Sequence, residues 1–295
     1  MRSSRRSSRW AKRALIPIGI AAALVLAGCS QQELSGYLPT GQEFGDGPVT
    51  NHTETIMGLW NTSWIVLLGV GVITWGLILW AAIVYRRRRG QTGLPAQLRY
   101  NMPVEVAYTV IPFILIIGFF AFTARDQTDI ETPHDPDVKI LAFGKQWSWD
   151  FNYVNEDVHE PAGVQATVLA NGDIDGEHVP TLWLPVGKQI EIDLQSRDVI
   201  HSFWVVDFLY KKDMIPGHPN SMYFIPEKIG EYSGKCAELC GEYHSQMLFK
   251  VKVVSEADYE AHIAELEADG FGGQLGADLN RNQNFPATGT QPAES

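Results

Sequence analysis

In the stretch 234-GKCAELCGEYHSQM-247, Cys236 and Cys240 stand four positions apart, His244 follows four after the second cysteine, and Met247 three after that. Thiolate, imidazole and thioether are the soft and borderline donors of proteins. The cysteine spacing alone fits a disulfide in an exported protein. Structural zinc prefers four Cys and His ligands and has little use for a thioether. A c-type haem needs C-x-x-C-H, which is absent. The three donor types together favour copper in an electron-transfer site. One more donor, His201, stands in 197-RDVIHSFWV-205, 35 residues before Cys236. The set is then two thiolates, two imidazoles and a thioether. A single blue-type copper takes one thiolate and two imidazoles, whereas two thiolates can instead bridge two coppers.

Such a loop needs a compartment and a rigid frame. The chain has 295 residues and a net charge of −11, unevenly spread. Residues 1–130 carry 12 basic and 7 acidic side chains, and residues 131–295 carry 11 and 27. The front half therefore looks membrane-associated and the back half soluble and acidic, with no nucleic acid expected as a partner. Residues 1–28 read as a secretory signal: a basic start from Arg2 to Arg13, then an apolar run from Ala14 to Ala27. The run ends in 26-LAGC-29, which resembles a bacterial lipobox and marks Cys29 as a lipidation site, with membrane lipid as its partner.

Ile56–Tyr85 is 30 residues without a charge, and Val106–Ala124 is a second such run of 19. Both are expected to span a membrane, as helices over 56–85 and 104–125. Pro112 is expected early in its helix, where a missing N–H does least harm. The loop 86–103 opens with 86-RRRR-89 and so faces the cytoplasm. The segment 29–55 and everything after 131 then lie outside, in agreement with the export signal.

Beyond Val138, segments rich in β-branched and aromatic residues (Val138–Tyr153, Thr181–Leu194, Val199–Phe208, Ser221–Tyr232 and Met247–Val254) alternate with turn clusters. They predict a β-sandwich or Greek-key barrel over 131–254. A short helix, Ser255–Ala268, ends at Gly270. Residues 271–295, rich in Gly, Asn, Gln and Pro, read as a disordered tail. Asn155–Val179 is long and acidic for a connection and reads as an insertion that contacts a partner.

With these residues in place, the chain resembles subunit II of the haem-copper cytochrome c oxidases over roughly residues 55–255. The resemblance rests on 105-EVAYTVIP-112, 146-QWSW-149, 201-HSFWVVDFLYKKDMIPG-217 and 236-CAELCGEYHSQM-247. It implies a two-helix transmembrane hairpin followed by an all-β cupredoxin-like domain. It further implies a dinuclear copper-A centre held by His201, Cys236, Cys240, His244, Met247 and the carbonyl of Glu238. Trp147 would be the point where electrons enter from a c-type cytochrome; Trp149, on the same face of a regular strand, would support it. The Glu238 carboxylate would bind magnesium or manganese at the border with subunit I, and Glu105 would lie at the mouth of a proton path.

The implied activity is that of a bacterial cell-membrane subunit of an aa3-type or related oxidase. It would pass electrons from the cytochrome to haem in subunit I, for oxygen reduction coupled to proton pumping. Its partners would be subunit I, the other oxidase subunits and a separate cytochrome. An extracytoplasmic copper-delivery protein is the alternative, with less need of both His201 and Met247. His52, His134, His159, His178, His218 and His262 have no motif around them. Ser148 stands where many relatives have another aromatic.

Overall fold

The structure is a computed structural model that describes residues 48–276 apart from 89, 95, 96 and 177. The signal at 1–28, the lipidation site Cys29 and the tail beyond 276 lie outside the described residues.

Two helices lead the described chain: α1, Thr53–Val84, and α2, Met102–Glu131. Their surfaces are lined with exposed Ile, Leu, Val and Phe. That is tolerable in hydrocarbon, because a helix satisfies its own backbone hydrogen bonds and needs no water. At about 1.5 Å per residue each exceeds a hydrocarbon core of ~30 Å. The helices reach past the charge-free runs. α1 starts at Thr53, and α2 continues beyond Arg125 to Glu131. Because α2 already begins at Met102, Pro112 lies inside the helix rather than near its start. In a membrane such a proline is tolerated where local adjustments re-satisfy the freed carbonyl.

The β domain has twelve strands: β1 Val138–Lys145, β2 Ser148–Tyr153, β3 Val158–His159, β4 Thr167–Val168, β5 Ile174–Asp175, β6 Thr181–Pro185, β7 Ile190–Ser196, β8 His201–Val205, β9 Tyr210–Met214, β10 Asn220–Phe224, β11 Gly230–Cys236 and β12 Leu248–Val254. One sheet runs β10-β7-β1-β2-β3 and the other β6-β12-β11-β8-β9, while β4 and β5 pair apart. The pairs β1–β7 and β12–β6 are parallel and the others antiparallel. The expected two-helix, all-β architecture is the one observed. Single expected strands divide: Val138–Tyr153 is a hairpin that turns at Gln146 and Trp147.

The core lies between the sheets. Trp149, Phe151 and Tyr153 alternate along β2 into it and are fully buried. Trp149 meets Phe249 at 4.9 Å between ring centroids, and Phe249 stacks on Phe203 at 4.6 Å. Such rings bury large apolar areas and add geometry-specific attraction. The helices are tied to this domain. Glu131 pairs with Lys212, and His52 Nε2 hydrogen-bonds the Tyr223 carbonyl at 2.9 Å.

Helix α3, Glu256–Ala268, is capped by the Ser255 hydroxyl, which accepts from the Asp258 N–H at 3.2 Å. It buries Tyr259, Ile263 and Leu266, spaced along one face. Gly270, at φ 87°, reverses the chain, and the Phe271 N–H bonds back to the Leu266 carbonyl at 2.9 Å. The following residues do not trail away, as a disordered tail would. Gly272 bridges to Val158, and Leu275 exchanges hydrogen bonds of 2.7 and 3.2 Å with the Asn152 amide. Residues 271–276 form a strap over the β2–β3 side of the first sheet.

Candidate metal centre

Two adjacent strands bring the donors together. His201 opens β8 and Cys236 closes β11, which pairs with β8 through Cys236 and Phe203. The loop from Cys236 returns through a 3-10 turn at His244–Gln246 to Met247, where β12 begins. Its two ends are stitched by Cys236 N–H to the Met247 carbonyl at 3.0 Å, and Ala237 N–H bonds the Ser202 carbonyl at 3.0 Å.

Cys236 and Cys240 are free thiols with sulfurs 3.9 Å apart, far beyond the ~2.05 Å of a disulfide. His201 Nδ1 lies 3.8 Å from Cys236 Sγ, His244 Nδ1 3.5 Å from Cys240 Sγ, and Met247 Sδ 3.8 Å from Cys240 Sγ. The Glu238 carbonyl is 3.2 Å from Cys236 Sγ. Donors each about 2.0–2.3 Å from a shared metal leave separations of this order. His201, Cys236 and Cys240 are buried, and their ligand atoms lie within 4.8 Å of one another. The residues present therefore fit a soft metal, copper above all by the donor types.

The electrostatics suit the same end. The contact between the two thiols pulls Cys236 down to about 3 and pushes Cys240 up, burial raising both. Burial pulls His201 down, but its bond to Asp198 and its contact with Cys236 outweigh that, so its pKa lies above the ordinary value. The His201 Nε2–H donates to Asp198 Oδ1 at 2.7 Å, which leaves Nδ1 as the lone-pair nitrogen that faces Cys236.

Two glycines make room. The Gly144 backbone lies against the His201 ring, where a Cβ would be 3.0 Å from Cδ2. Gly241, at φ 126°, sits under Trp147, and a Cβ there would be 3.1 Å from the indole. Trp147 itself is in the β1–β2 turn and not on a strand face, so it does not share a face with Trp149. Its Nε1–H donates to the Cys240 carbonyl at 3.3 Å, and its ring meets Tyr243 edge-on at 4.8 Å. Trp149 is fully buried and donates to the Met247 carbonyl at 3.4 Å.

The family description "Cytochrome C oxidase subunit II, periplasmic domain" matches residues 138–254. The chain is 42% identical to the probable cytochrome c oxidase subunit 2 of Streptomyces avermitilis, with 94% of each chain covered. The chain belongs to the cytochrome c oxidase subunit 2 family. It is also 34% identical to the cytochrome c oxidase subunit 2 of Mycobacterium bovis, over 93% of this chain and 86% of that one. A solved periplasmic domain of cytochrome oxidase subunit II from Bradyrhizobium japonicum is 29% identical. It aligns at a TM-score of 0.40, over 47% of this chain and 99% of that one.

In this member of the subunit 2 family, five donor side chains named from sequence and the Glu238 carbonyl are within one cradle. Glu105 lies far away in sequence, in the first turn of α2, where its Oε1 accepts from the Asn101 N–H at 2.9 Å. The Glu238 side chain is exposed. Sequence reasoning missed Asp198 and Gln146. Asp198 also accepts from the Gln146 N–H at 2.7 Å, and the Gln146 amide donates to the Cys240 carbonyl at 2.8 Å. An acid three positions before a candidate ligand was the available signal for Asp198. Gln146 had none beyond its place beside Trp147.

Proposed function

We propose that this subunit receives electrons for an aa3-type or related oxidase at a dinuclear copper centre, held by His201, Cys236, Cys240, His244, Met247 and the Glu238 carbonyl. The observation that carries this reading is the convergence of two thiols, two imidazoles and a thioether at 3.5–3.9 Å. When bound, the copper pair supplies a one-electron store between a c-type cytochrome outside and haem in subunit I, where oxygen is reduced with proton pumping.

The protein's part is to hold and shield. Cys236 and Cys240 would hold the copper pair through their sulfurs, with His201 beside the first and His244 beside the second. Asp198 locks the His201 ring, and the fully buried Met247 closes the site against water. A donor set fixed by strands on both sides moves little on a change of charge, which keeps electron transfer easy. Half-buried Trp147, bonded to the Cys240 carbonyl, is the contact for the donor cytochrome.

The exposed Glu238 carboxylate is free to share a magnesium or manganese ion with subunit I. Glu105 would mark a proton-path mouth at the cytoplasmic end of α2. The exposed Arg86, Arg87 and Arg88 favour a cytoplasmic loop, with the copper domain on the outer face of a bacterial membrane and a lipid on Cys29. The test is metal analysis and electron paramagnetic resonance of the purified oxidase. Two coppers per subunit that share one unpaired electron are expected, and lost in C236S. A Cys236–Cys240 disulfide without metal in the active complex would sink the proposal.

A further inference from the structure

Behind His201 lies a charged cluster that copper ligation does not use. Along β2, Ser148, Asp150 and Asn152 point away from the aromatic core, yet all three are fully buried. Lys145, across the hairpin, lies 2.9 Å from Asp150 Oδ1 with no exposed side-chain surface. Arg197, 1% exposed at its side chain, pairs with the other carboxylate oxygen and lies over the Phe143 ring. The lid over them is main chain. Gly163 N–H donates to Asp150 at 2.9 Å, and the Gly276 carbonyl in the strap accepts from Arg197 Nη2 at 2.8 Å.

Stability does not account for this cluster. Buried ion pairs roughly break even against apolar packing. This one also leaves Lys145 Nζ, Arg197 Nε and Ser148 Oγ without a well-formed hydrogen bond among the described residues. Its position is more telling. Gly144, beside Lys145, is the wall against the His201 ring. Arg197 N–H donates to the Gly144 carbonyl at 3.0 Å, and the next residue, Asp198, grips His201 Nε2. The cluster carries two cations and one carboxylate. Burial lowers the Lys145 pKa while Asp150 and Asp198 raise it, and Asp198 lays negative charge on His201.

We propose that Lys145 and Arg197 set the reduction potential of the metal centre through the positive charge they hold behind His201. This rests on the copper reading above. A positive charge in a poorly screened interior favours the state with the extra electron, and a negative charge disfavours it. The two cations thus offset what Asp198 does to the ligand.

The test is a redox titration of the copper absorption in the purified oxidase, with copper content measured in each variant. K145M removes a cation and leaves Asp150 paired with Arg197; a lower midpoint potential is expected at unchanged copper content. D150N removes the negative charge and is expected to raise the midpoint. Should D150N fail to assemble, R197Q provides the second measurement, with a shift of the same sign as K145M. A packing effect would not follow the sign of the charge. Wild-type potential in K145M, or shifts that ignore charge, would overturn this inference while the copper reading stands. Wild-type oxidase without copper in this subunit would overturn both.

Discussion

Met247 and Trp147 approach the same residue, Cys240, in different ways: Met247 through its sulfur at 3.8 Å, Trp147 through a hydrogen bond to the carbonyl. Their substitutions should separate. On the proposed copper reading, Met247→Leu keeps the volume and removes a weak donor, so most copper should stay bound while the potential moves; metal analysis with a redox titration checks both. Trp147→Phe removes the bond to Cys240 but no ligand. Its copper spectrum should match wild type while reduction by cytochrome c slows in stopped-flow mixing. The donors themselves were legible because four of the five side chains lie within twelve residues of sequence, where spacing alone implies proximity. Asp198 was not, since an acid in a polar loop reads as solvated. Lys145 was not either: a lysine at a strand end usually reaches water, and here it is fully buried against Asp150.

Strands β8, β11 and β12 frame the cradle, and Phe249 on β12 packs against Trp149 and Phe203 directly beneath it. Phe249→Ala should destabilise the protein by about 3–5 kcal/mol through lost transfer and an unfilled cavity, read as an earlier melting midpoint. At α3 the half-buried Ser255 caps the helix at the far end of β12 from the metal loop. Ser255→Ala should cost only ~1 kcal/mol, with copper content unchanged. The cap and the Tyr259, Ile263, Leu266 face made this helix legible to within one residue. The hairpin break at Gln146 and Trp147 was hidden, because neither position holds the Gly, Pro, Asn or Asp that marks a tight turn. The strap was hidden for another reason. Its contacts at Gly272, Leu275 and Gly276 are largely main-chain hydrogen bonds, and a Gly-rich sequence gives no sign of those.

Across the whole molecule, the apolar front and acidic back of the chain made the division into membrane hairpin and outer domain readable, and the observed order of elements follows it. The ties between the two parts, Glu131 with Lys212 and His52 with Tyr223, join residues far apart in sequence and left no pattern to find. Metal that binds only the folded state should stabilise the domain. At a hundredfold excess over the dissociation constant the gain is about 2.7 kcal/mol, so a chelator that strips copper should lower the melting temperature of the outer domain. The strap has a bearing on biogenesis as well. Residues 271–276 leave the ribosome after every donor has already emerged, yet they complete the enclosure around Arg197. A half-made chain can thus present its sulfurs before the main chain closes over the cations behind His201.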